Sequence, residues 1–182
     1  MRRLLPLLAF WTSLAAHAQV VSEPDMKAAY LYNFAHLLEW PESSRANFHL
    51  CVLGDEEVGA ALQRFDERRV VGKRIVIARL STMAPIRLCD ILYVGASEQS
   101  GLTKIRSTLN NQPTLLVADR GGLPGVGVLL GLENSRLVFD VNLEQCERAG
   151  LKPKQTLLDF ARSVRKSGET EARLSPASQP TK

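Results

Sequence analysis

Phe48-His49-Leu50-Cys51-Val52-Leu53-Gly54-Asp55 is a short apolar run closed by a glycine and an aspartate. A run of this length, bounded by turn residues, reads as a buried strand. Glu56 to Phe65 follows it with Val58, Leu62 and Phe65 on one helical face. Downstream the alternation continues. Val70-Val71-Gly72-Lys73 reads as a turn, and Arg74 to Leu80 and Cys89 to Gly95 as strands. Ser100 to Leu109 reads as a helix with Leu102, Ile105 and Leu109 inward, and Thr114 to Ala118 as a strand running into an Asp119-Arg120-Gly121-Gly122 turn. Val126 to Leu132 and Arg136 to Val141 form a hairpin around Glu133-Asn134-Ser135. Two helical pieces close the body, Leu143 to Ala149 and Gln155 to Arg165, divided by Gly150 and Pro153.

Strands alternating with helices predict an α/β domain whose mostly parallel sheet is covered on both faces. The expected architecture is one Rossmann- or flavodoxin-like sheet with flanking helices, and a C-terminal antiparallel hairpin at its edge. No internal repeat and no second domain is evident.

Upstream lies Lys27-Ala28-Ala29-Tyr30-Leu31-Tyr32-Asn33-Phe34-Ala35-His36-Leu37-Leu38-Glu39-Trp40-Pro41. Its apolar residues recur at helical spacing. Ser22 is placed to cap the start with Asp25 three residues on, and Pro41 to stop it. Four of the chain's eleven aromatics, Tyr30, Tyr32, Phe34 and Trp40, fall here. Such a stripe packs a core. Tyr32 and Trp40, if exposed, would also suit a partner, since both residue types are enriched at interface hot spots.

Arg2 and Arg3, the apolar run Leu4 to Ala15, and Ala16-His17-Ala18 have the three-part form of a cleavable secretory signal. Residues 1–18 are read as leader, 19–167 as the domain and 168–182 as a polar, disordered tail. No later apolar run is long enough to span a bilayer. The formal charge of +4 misleads. The leader holds two arginines and no acid, and the segment from Arg162 nets three positive charges, so residues 19–161 carry one net negative charge. That balance offers no basic face for nucleic acid.

Catalytic chemistry is hard to find. His36 and His49 have no partner at metal-ligand spacing, and no cofactor is implied. Gly122-Leu-Pro-Gly125-Val-Gly127 looks like a phosphate loop but leads into a strand, where an anion site needs a helix. Asp55, Asp90, Asp119 and Asp140 sit at strand ends, where open sheets gather ligands and where turn carboxylates also sit. Asp55 and Asp119 are the candidate ligand-binding pair. Export would put the three cysteines in an oxidising compartment. Cys51 and Cys89 each lie in or beside a buried strand, within reach of a cross-link worth roughly 3–4 kcal/mol for a loop of that length. Cys146, on a helix, is either a buried inert thiol, which is favoured, or an exposed one able to dimerise the chain.

Taken in order, several segments resemble the YfiR/HmsC family of periplasmic regulators. They are Lys27-Ala-Ala-Tyr-Leu-Tyr-Asn-Phe34 with Glu39-Trp40-Pro41, Leu50-Cys51-Val52-Leu53-Gly54-Asp55, Val71-Gly72-Lys73, and Cys89-Asp90-Ile91-Leu92-Tyr93-Val94. Thr114-Leu-Leu-Val-Ala-Asp119, Leu137-Val-Phe-Asp-Val-Asn-Leu143, Arg148-Ala-Gly-Leu151 and Leu157-Leu158 complete the series. The likeness spans roughly residues 26–165. It implies an exported domain, not an enzyme, that represses an inner-membrane diguanylate cyclase by binding its periplasmic sensor portion. It further implies a homodimer that an outer-membrane lipoprotein can sequester. Cys51 and Cys89 match the family's core disulfide. Cys146 stands where an alanine-rich helix is usual, Arg120 to Gly127 is short and glycine-heavy, and a second family disulfide has no counterpart. The alternative is a small-ligand module feeding another membrane sensor such as a histidine kinase, using the strand ends near Asp55, Gly95 and Asp119. An enzyme with a scattered site ranks third.

Overall fold

The structure, a computed structural model, describes residues 21–119 and 125–166. The leader read at 1–18 and the tail read at 168–182 lie outside the described residues, as does the turn Arg120 to Pro124.

The described residues open with α1 (Glu23–Leu37), then β1 (Leu38–Glu39), β2 (Asn47–Leu53), α2 (Glu56–Leu62), β3 (Arg69–Val70) and β4 (Lys73–Leu80). Next come β5 (Ile91–Val94), α3 (Leu102–Leu109), β6 (Leu115–Asp119), β7 (Val128–Glu133) and β8 (Arg136–Asn142). The last elements are α4 (Leu143–Arg148), β9 (Lys152–Pro153), α5 (Gln155–Phe160) and β10 (Ser163–Arg165). One sheet has the order β10-β8-β7-β6-β5-β2-β4-β3, and β1 pairs with β9 separately. From β4 to β7 all neighbours are parallel. In chain order those five strands lie 2-1-3-4-5, the flavodoxin-like arrangement, with its order reversal between β2 and β5. The expected hairpin is β7 and β8, paired antiparallel from Val128–Val141 to Glu133–Arg136.

Strand periodicity sorts the core into two layers. Phe48, Leu50, Val52, Ile91, Tyr93, Leu115 and Val117 face the layer of α1, α2 and α5. Cys51, Leu53, Leu92, Val94, Leu116 and Ala118 face the layer of α3. On the first side Phe34 meets Phe139 edge-on at 5.2 Å, and Tyr30 donates to the Leu137 carbonyl. Among the described residues the second side is covered by the eight-residue α3 and by the short turn that buries Ile86, and the Cys51–Cys89 disulfide joins β2 to the segment before β5.

Two sequence expectations need correction. Pro41 does not end the first helix. Leu38 and Glu39 are drawn into the ladder with Pro153 and Lys152, and the Lys154 N–H donates to the Leu37 carbonyl. Trp40 therefore lies beyond the helix. The last helix stops at Phe160 instead of Arg165. Ser163 to Arg165 form a parallel edge strand on β8, anchored by the Arg162 guanidinium on Asp140 and Glu133. An ion pair across the sheet edge outweighs the helical periodicity of so short a segment.

Cys146 is buried, unpaired and packed with Val141 and Leu151, as favoured from sequence. Burial, with Glu147 nearby, pushes its thiol up to about 12. Iodoacetamide at about pH 8 is expected to spare the native chain and to label one thiol per chain once it is unfolded without reductant. Labelling of the native chain at the unfolded rate would show Cys146 to be exposed.

Candidate functional site

The polar cluster at the order reversal is built from four elements. Asp55 follows β2 and caps α2, accepting the Val58 N–H at 3.0 Å. Asp119 ends β6, and Tyr93 lies on β5 between them. The Tyr93 hydroxyl stands 3.2 Å from Asp55 Oδ2 and 3.0 Å from Asp119 Oδ1. It has one proton for two carboxylates, so it donates to one at a time. Burial, then the charges of Asp119 and Asp55, push its pKa far above the ordinary range and keep the phenol neutral.

Lys27 descends from α1. Its Nζ donates to Asp119 Oδ2 at 3.0 Å and pairs with Glu23 Oε1 at 2.9 Å. Burial alone would lower its pKa, but the hydrogen bonds and charges of Glu23 and Asp119 reverse the sign and leave it raised. Asp119 thus faces a built-in cation where a ligand would sit. The flanking loops close on each other. The Ser97 hydroxyl donates to the Gly54 carbonyl, and Gln99 Nε2 to the Asp119 carbonyl. A Cβ at Gly95 would stand 2.5 Å from the Gly54 oxygen, so only glycine allows this approach. Lys27 and Tyr93 thus occupy the polar centre of the reversal, while Asp55 also lines an open groove of about 680 Å³ with Gly54, Glu56, Arg79, Ser81 and Ser97.

Lys27 and Tyr93 are the members that sequence reading missed. A signal existed for each. A tyrosine in an otherwise apolar, fully buried strand must find a partner for its hydroxyl. Lys27 stands one turn after Glu23, the spacing of an ion pair.

The other candidates lie elsewhere. Tyr32 is half-buried, stacked on Phe65 at 4.4 Å and edge-on to His36. Trp40 is half-buried, donates from Nε1 to the Ala35 carbonyl and meets Phe48 at 4.9 Å. Trp40 lines an open groove of about 530 Å³ at the opposite end of the strands from the polar cluster, with Phe48, Arg45, Val71, Lys73 and Asp90. Asp90 belongs to that end. It accepts the His49 N–H at 2.7 Å and pairs with Arg45. Burial raises its pKa despite that hydrogen bond and the nearby Arg45, His49 and Lys73 charges. Among the described residues no group of three or more His, Cys, Asp or Glu side chains is placed to hold a metal ion. Among them, too, no helix is long and apolar enough to cross a membrane.

The mostly parallel sheet, with its order reversal between β2 and β5, defines an α/β domain of flavodoxin-like topology. Residues 24–162 match the model of the YfiR/HmsC-like family, and the chain belongs to that family, whose members are periplasmic and regulatory. Among solved structures it is similar to a conserved domain protein from Vibrio cholerae O1 biovar El Tor, at 11% identity and a TM-score of 0.46. That match covers 76% of this chain and 60% of the other.

Proposed function

We propose that this chain is exported through residues 1–18 and represses an inner-membrane diguanylate cyclase by binding its periplasmic sensor portion. The reading rests on family membership across residues 24–162. One observation of the site supports it: Asp119, at the strand ends where a sheet of this topology takes a ligand, is already engaged by the chain's own Lys27 and Tyr93. Repression requires tighter binding to the inactive cyclase than to the active one, because equal affinity shifts nothing. The half-buried rings of Tyr32 and Trp40 are the proposed contacts. Dimerisation and capture by an outer-membrane lipoprotein are further parts of this proposal. The disulfide accords with an oxidising compartment.

The test is cross-linked capture of partners from native membranes, alongside cyclic di-GMP in a deletion strain. Recovery of a membrane protein bearing a cyclase domain is expected, with cyclic di-GMP rising on deletion and falling on complementation. Recovery of a histidine kinase, with cyclic di-GMP unchanged, would overturn the cyclase assignment.

A further inference from the structure

The β3–β4 hairpin turns through Val71 and Gly72, with Val70 opposite Lys73. Both turn residues have positive φ, +50° at Val71 and +75° at Gly72. That is the geometry of a two-residue turn that asparagine, aspartate or glycine fills without strain. A β-branched residue there is an outlier, and such strain persists where it serves a purpose. Val71 is also 61% exposed. A Cβ placed on Gly72 meets no atom within 4 Å, so the turn is open on that side, while Val71 borders the groove of Trp40. Residues 68–74 hold Arg68, Arg69, Lys73 and Arg74 and no acid. The acids just before them are Asp66, whose carboxylate receives the Ile77 N–H, and Glu67, which pairs with Arg74. Arg68 and Arg69 are exposed, and Arg69 Nη1 donates to the Gly72 carbonyl at 3.1 Å, which holds its guanidinium at the turn. The near-neutral body charge conceals this local concentration.

We infer that the arm docks on an anionic phospholipid bilayer, Val71 entering the headgroup boundary while Arg68 and Arg69 meet lipid phosphates. An exposed apolar tip flanked by cations suits a deformable anionic surface, which needs no matching pocket. The half-buried Trp40 beside it, in the groove that Val71 lines, is of the residue type enriched at membrane interfaces. Lys73 Nζ donates to the Ser43 carbonyl and ties the base of the arm to that groove. The inference stands apart from the cyclase reading, since a vesicle contains no protein.

The test is flotation of residues 19–182 with vesicles of phosphatidylcholine alone, or with about a third phosphatidylglycerol. Recovery is expected with the anionic vesicles only, falling as salt rises. Val71→Asn, which suits the turn and keeps or raises Tm, is expected to weaken partition roughly tenfold. Arg68→Gln with Arg69→Gln should weaken it by about tenfold or more. Equal recovery on both vesicle types, or full recovery with both variants, would overturn the proposal. So would failure of the wild-type chain to float while the arm variants lose affinity for a cyclase's periplasmic fragment, which would assign the arm to an acidic protein surface.

Discussion

Replacing both disulfide cysteines, Cys51→Ala with Cys89→Ala, is expected to lower the unfolding free energy by about 4 kcal/mol and Tm by roughly 8–16 °C. The bond closes a loop of 38 residues. That loop is the source of the effect, because a cross-link chiefly restricts the unfolded chain. The native layer should survive. Cys51 and Cys89 are 2% and 1% exposed among apolar neighbours, where an alanine or a reduced thiol is tolerated. The loss falls on the thinner side of the sheet, where α3 is the covering helix. Reduction of the wild-type chain by dithiothreitol should reproduce the same shift. In urea the midpoint should fall and the slope rise slightly, since the freed unfolded chain exposes more surface. A Tm change below about 3 °C would mean that the loop is already constrained in the unfolded state.

Much of this fold was legible because burial on both faces writes continuous apolar runs. Phe48 to Leu53 and Ile91 to Val94 announce themselves that way. The register between strands was not legible. A run apolar on every position gives no clue to its neighbour, and the order β4-β2-β5-β6 follows from crossover packing that no single segment records. The errors fall where tertiary pairing overrules a local pattern. Leu38–Glu39 were read as helix because periodicity continues through them, yet Lys152 and Pro153 recruit them into a ladder. Ser163 to Arg165 were read as helix although β8 offers a free edge. The candidate site was half legible. Asp55 and Asp119 were found by their place at strand ends, but strand ends do not say what faces them. Lys27 approaches from 92 residues away, and only the docking of α1 brings it there.

That docking makes the second large effect. Lys27→Met is expected to cost about 2–3 kcal/mol, somewhat less than the 3–5 kcal/mol typical of breaking a fully buried pair. The reason is what stays behind. Asp119, at 18% side-chain exposure, is left with only the Tyr93 hydroxyl as side-chain donor, which Asp55 also claims. Asp119→Leu should cost a similar amount, leaving Lys27 with Glu23, whose side chain is 44% exposed. The double variant should recover much of both losses, with a coupling energy of roughly 1–3 kcal/mol. Independent additivity would mean that the pair contributes nothing specific. The pH dependence supplies a separate check. The folded pKa of Lys27 lies above the free value of 10.5, so its stabilisation is complete below that value and is lost as pH rises through the folded one. Tyr93, also raised, adds a loss of the same sign above its ordinary value of 10.0. Stability of the wild-type chain should therefore fall on the alkaline side of about pH 10. In Lys27→Met that fall should be shallower by up to about 1.4 kcal/mol per pH unit, the weight of one proton. Identical slopes in urea titrations of the two proteins would show that Lys27 is not held by Asp119 in solution.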